Sequence, residues 1–156
     1  MISVLRHWLV LNRPLLYFVY GQIFVIFGLA IFLHSRRHSR LELAISLRWI
    51  MAFGFIHGFH EWGDLFIPIQ SSFLSASTIV ALRFLQLFLL AGSFNCLHWF
   101  AVELLKTFPH NQRRYGFIPA GAFALWLIGS LCFGLVAGGD LERWRSFADV
   151  LARYLL

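Results

Sequence analysis

The residues best suited to chemistry lie in one stretch, Phe53-Gly54-Phe55-Ile56-His57-Gly58-Phe59-His60-Glu61-Trp62-Gly63-Asp64. On an α-helix His57 and Glu61 stand four residues apart, His57 and His60 three, and His60 and Asp64 four. The ionisable groups therefore share one face. Two imidazoles beside two carboxylates can relay protons or hold a polar ligand. Gly54 and Gly58 form a GxxxG pair, on which a neighbouring helix can approach closely. The stretch predicts a helix-packing face with polar groups set into it.

His57, His60 and Glu61 could also supply metal ligands. However, histidines at i and i+3 are not in themselves a zinc motif, and His60-Glu61-Trp62-Gly63-Asp64 lacks the second histidine of HExxH. Haem would need axial ligands facing one another across helices. His98 stands toward the far end of its apolar run from the level of His57. No nucleophile elbow, P-loop or dinucleotide fingerprint is present, and Gly138-Gly139-Asp140 is not followed by the Glu-Phe of a cyclase site. The residues imply neither a cofactor nor an enzymatic activity.

The elements that must carry this face are apolar. Of 156 residues, 60% are hydrophobic and 13% charged, and the mean hydropathy is +0.74. A soluble domain is nearer 45–50% apolar and about 25% charged, so a water-soluble globule is excluded as the ordinary reading. Asp, Glu, Lys and Arg are missing from Pro14 to Ser35, from Phe84 to Val102 and from Tyr115 to Gly139. Each run is long enough for a bilayer core, which takes about 20 residues of helix. Leu41 to Pro68 has the length of a span but carries Arg48, Glu61 and Asp64; a peripheral position is its alternative. The expected fold is an all-α, polytopic bundle forming a single membrane domain, with spans near 15–34, 43–67, 77–103 and 116–137. Amphipathic helices are expected at both ends, the first over 1–13 with Trp8 as an interfacial anchor. At the other end, Leu141, Trp144, Phe147, Val150 or Leu151, and Leu155 fall on one face of 140–156. That segment reads as an interfacial helix or as the start of a fifth span.

The net charge is +6 and the pI about 10.2, which in a soluble protein would suggest nucleic acid. Here arginines and lysines cluster between apolar runs: Arg36, Arg37 and Arg40 in one loop, Lys106, Arg113 and Arg114 in another. No Lys or Arg occurs from Gly63 to Leu82. The positive-inside rule then places loops 35–42 and 105–115 in the cytoplasm, and the serine-rich connection and the N-terminus outside. The clusters read as topology signals and anionic-lipid contacts rather than a nucleic-acid site, so the lipid bilayer is the expected partner.

Depth suggests a companion for Glu61. At 1.5 Å per residue it lies about 10 Å below Pro68, and Arg83 lies about 9 Å below Ser77 on the next, antiparallel helix. A Glu61–Arg83 pair is expected, with His57 and His60 bordering the same outward-facing pocket. Such a pair either serves a ligand or proton or simply holds helices together. Asn95 and His98 are expected to make interhelical hydrogen bonds. Cys96 and Cys132 fall at different depths and are expected to be free thiols.

Three stretches together resemble a known family: Tyr20-Gly21-Gln22-Ile23-Phe24, then Ser35-Arg36-Arg37-His38-Ser39-Arg40-Leu41, then Phe53-Gly54 through His57-Gly58 and His60-Glu61-Trp62-Gly63-Asp64 to Phe66-Ile67-Pro68. They are similar to the multi-helix N-terminal membrane regions of bacterial sensor histidine kinases and related signalling proteins. The resemblance implies a sensory input module of a two-component-type system in the bacterial inner membrane, with its N-terminus outside. A homodimer or a cytoplasmic kinase or output domain is the partner it implies. The family's regions continue through further helices into a kinase, so the chain reads as a truncated module that can sense or bind but cannot phosphorylate. A redox or photosynthetic subunit binding haem, quinone or pigment is the main alternative, and a small transporter or channel subunit a further one.

Overall fold

The computed structural model describes residues 2–37, 43–106, 115–138 and 140–156. Among them the chain is helical and contains no strand: α1 (Ile2–Leu11), α2 (Arg13–Arg37), α3 (Leu43–Gln70), α4 (Ala76–Lys106), α5 (Ile118–Val136) and α6 (Leu141–Leu155). The helix limits follow the expected spans closely, because apolar runs in lipid satisfy their backbone groups only by hydrogen-bonding within themselves. His38, Arg40, Arg113 and Arg114, on which the loop-charge argument partly rests, lie outside the described residues.

Local chemistry explains the ends. The chain passes from α1 to α2 with little interruption, since Asn12 N donates to Trp8 O and Leu16 N donates to Asn12 O, both at 3.0 Å. Ser75 precedes α4 as an N-cap, its Oγ accepting from Thr78 N at 3.2 Å. Pro119 sits in the first turn of α5, where a missing N–H costs nothing. Gly138, with φ of 61°, closes α5, and Asp140 caps α6 by accepting from Arg143 N at 3.1 Å.

Among the described residues, three helical stretches are long and apolar enough to cross a membrane: Arg13–Ser35, Ala76–Leu105 and Ile118–Val136. The expected fourth, α3, has the length, but its ionisable residues keep it out of that set. It is nonetheless sandwiched between α2 and α4. Large apolar side chains cover the outer faces, among them Ile23, Ile26 and Leu33 on α2 and Leu125, Leu131 and Leu135 on α5. Apolar surface of this extent suits contact with lipid tails.

The last helix packs on the bundle. α6 turns back and runs beside α5 and α4. Trp144 meets Gly134 and Phe84, Phe147 stacks on Phe133 at 4.1 Å, and Leu151 reaches Gly129. Its inward face centres on Trp144, Ala148, Leu151 and Ala152, with Ala148 and Ala152 fully buried beside Leu87, Leu90, Ala91 and Trp126. Leu141, Val150 and Leu155 remain exposed. Small alanines form the centre because α6 lies in the groove between two helices. Two indoles anchor it: Trp126 Nε1 donates to Ala148 O at 2.9 Å, and Trp144 Nε1 to Ser130 O at 2.7 Å.

Candidate functional site

The polar residues of α3 are positioned first by glycines. A β-carbon on Gly54 would stand 2.9 Å from the Cα and N of Gly28 and from Phe24 O, and one on Gly58 would stand 2.9 Å from Gly21 O. Gly21 in turn lies against the indole of Trp62, which donates to Phe18 O at 3.2 Å. Backbone therefore meets backbone along α2 and α3, and this sets the rotation of α3. One side of it is held against α2, and His57 and His60 turn toward α4.

Two polar residues of α4, seven apart, receive them. His57 Nδ1 lies 3.0 Å from Ser93 Oγ, and His60 Nδ1 lies 3.0 Å from Gln86 O. Gln86 Nε2 donates to Asp64 Oδ1 at 2.7 Å. The partners dictate the tautomers. A carbonyl can only accept, so His60 carries its proton on Nδ1. Ser93 donates its own hydroxyl proton to Leu90 O at 2.7 Å, so it accepts from His57 Nδ1. The Nε2 of His57 then faces Glu61 Oε1 at 3.4 Å. The Nε2 of His60 is a bare lone pair, buried and without a partner among the described residues. His57, His60 and Glu61 are all less than a tenth exposed. Phe24, Phe53 and Phe94 surround the His57 ring at centroid distances of 4.5, 5.2 and 5.5 Å.

Adjoining cavities open beside these groups. One of about 650 Å³ is bordered by His57, Glu61, Asp64, Tyr17 and Arg153. Another, of about 350 Å³, is bordered by His60, Asp64, Arg83, Asp149 and Arg153. Asp64 and Arg153 border both. The polar face of α6 closes this side of the bundle, with Arg153 Nε donating to Asp149 Oδ2 at 2.9 Å. Buried ionisable groups thus face a polar interior.

The expected Glu61–Arg83 pair does not form among the described residues. Depth places the two residues at one level, but rotation separates them. Glu61 turns back along α3 to His57, whereas Arg83 faces α6, bordering a small cleft with Phe84, Trp144 and Arg145. Asp64, not Glu61, shares cavities with Arg83. Nor, among the described residues, do Asn95 and His98 bridge helices: Asn95 Oδ1 is buried without a partner there, and His98 Nδ1 approaches Phe94 O within α4 at 3.4 Å. Cys96 is buried, Cys132 exposed, and both are free. No group of three or more His, Cys, Asp or Glu residues among those described is arranged to hold a metal ion. The nitrogens that could have coordinated one from His57 are occupied by Ser93 and Glu61.

Gln86, Ser93, Tyr17, Asp149 and Arg153 were not singled out from the sequence. Signals for them exist. Gln86 and Ser93 interrupt an apolar run at the same seven-residue interval that separates His57 from Asp64. Glu142, Arg145, Asp149 and Arg153 repeat at three, four and four residues, one helical face.

Compared with known proteins, the chain matches no family model, no curated protein and no solved structure.

Proposed function

We propose that this chain is a membrane-embedded sensory input module, in which α2 to α5 each cross the bilayer and α6 packs on α4 and α5 with its charged side toward the cavities beside α3. The observation that carries the reading is the buried cluster of His57, His60 and Glu61 beside cavities that α6 closes with its own charges. Charged residues at membrane depth are costly and mark sites of function. A stimulus that changes the protonation of the His57–Glu61 pair or fills a cavity would shift α3 against α2 at the glycine contacts, and α6 against α4. By the positive-inside rule the 71–75 turn and the N-terminus lie outside, and the family resemblance implies a bacterial inner membrane. A cytoplasmic kinase, or a second copy carrying one, would read the helix shift.

The test is phosphotransfer by that kinase in membrane vesicles holding either wild-type protein or His60→Ala or Glu61→Ala protein at equal insertion. The variants should lose the response to stimulus; an unaltered response would sink the proposal. A redox subunit is the second reading, favoured by the lone pair of His60 Nε2 and the phenylalanine shell of His57. A Soret or pigment band in the purified protein would favour it, and a colourless protein the sensor.

A further inference from the structure

The end of the bundle beside α1 holds a further cavity, which shares Arg13, Asp64, Arg83 and Arg145 with the His60 cavity. It measures about 530 Å³, and arginines from three helices border it: Arg13 from α2, Arg83 from α4 and Arg145 from α6. Asp64 is the carboxylate among its borders, and one of its oxygens already accepts from Gln86. The balance of the rim is therefore two positive charges.

The arginines are poorly satisfied from within the protein. Arg83 has no carboxylate within 4 Å among the described residues, and Arg145 reaches Glu142 only at 3.8 Å. Arg13 spends Nε and Nη2 on the single oxygen of Tyr17, at 3.1 and 2.9 Å, which leaves its remaining N–H groups. Three arginines around one space offer donors enough for the several oxygens of a phosphate. The neighbouring wall is apolar and exposed, from Val10, Pro14, Pro68 and Ile69.

We propose that this cavity binds a phosphate group, with Arg13, Arg83 and Arg145 as its donors, and that the phosphate is the headgroup of an anionic membrane lipid. The exposed apolar wall gives the glycerol and the start of the acyl chains a surface to lie on. A free phosphate would use the arginines and leave that wall unused. Basic pockets between membrane helices on the cytoplasmic side are known places for anionic headgroups, and the same charge chemistry applies at this end of the bundle. This inference goes beyond the sensory reading and stands if that reading fails, since it needs neither His57 nor Glu61.

The full-length protein, purified in detergent, is exposed to phosphatidylglycerol and to phosphatidylcholine with identical acyl chains, and bound lipid is counted by native mass spectrometry. Parallel thermal unfolding uses inorganic phosphate. Phosphatidylglycerol should be retained in preference, about fivefold less so in Arg83→Gln, the scale expected for one basic residue near a phosphate. Asp64→Asn keeps the carbonyl that Gln86 requires and removes the repelling charge, so it should bind more tightly. Arg48→Gln, whose guanidinium lies toward Glu103 and away from the cavity, should match wild type and guards against a general charge effect. Stabilisation by inorganic phosphate that Arg83→Gln abolishes, without lipid preference, would support the phosphate site and assign it to a soluble ligand. If Arg83→Gln and Asp64→Asn both behave as wild type toward all three probes, the proposal is overturned.

Discussion

A β-carbon added to Gly54 would lie 2.9 Å from the Cα of Gly28, closer than real side chains approach backbone. The obstacle is main chain on both helices and cannot rotate aside. Gly54→Ala should therefore force α2 and α3 apart, at a cost of about 1–3 kcal/mol. Gly92→Ala on α4, where nothing lies within 4 Å, is the comparison; there alanine's helix preference should leave stability equal or raised by about 0.5–1 kcal/mol. Reversible unfolding of the two variants in mixed detergent and SDS micelles measures both. Equal stability of the two would remove the glycine contact as the determinant of α3's position.

α6 is held by two indole hydrogen bonds and a small-residue face. Trp144→Phe keeps most of the ring and loses the bond to Ser130 O, a loss of about 1 kcal/mol. Trp144→Ala, which also empties the contact with Phe84 and Gly134, should cost about 3–5 kcal/mol. Hydrogen exchange of residues 141–155 should quicken in that order. Exchange unchanged in Trp144→Ala would show that α6 docks by other means.

The imidazole protons are assigned by their partners. Nitrogen NMR of histidine-labelled protein should find both His57 and His60 with hydrogen on Nδ1, because Gln86 O and the committed Ser93 hydroxyl can only accept. Gln86→Ala removes the contact with Asp64 but leaves the main-chain carbonyl, so the His60 signal should persist. A His60 proton on Nε2 would contradict the geometry.

The proposed orientation can be checked with single cysteines. In protein carrying Cys96→Ser and Cys132→Ser, a membrane-impermeant maleimide should label Ser75→Cys from outside intact cells and reach Ser39→Cys only after lysis. The reverse pattern would overturn the orientation drawn from the arginine loops.

Much of the architecture was legible in the sequence. The runs free of charged residues delimit α2 and α5 within a few positions and fall wholly inside α4, because a helix in lipid must span a set length and satisfy its own backbone. The crowding of His57, His60, Glu61 and Asp64 on α3 was equally legible, since spacing of three and four residues converts directly into a shared face. The Glu61–Arg83 pairing was not. Depth follows from counting residues, but which way a side chain faces depends on helix rotation, and that is set here by Gly28 and Gly54 meeting.

Sequence by itself thus determined the helices, their apolar character and the ionisable face of α3. Tertiary structure alone decided who meets that face: Ser93 and Gln86 from α4, and the charged side of α6. The reason is physical. Helix formation and insertion are governed by local composition and length, which a single chain segment carries. Pairing between helices is governed by close backbone approach and the filling of grooves by small residues such as Ala148 and Ala152, and these properties belong to two or more segments at once.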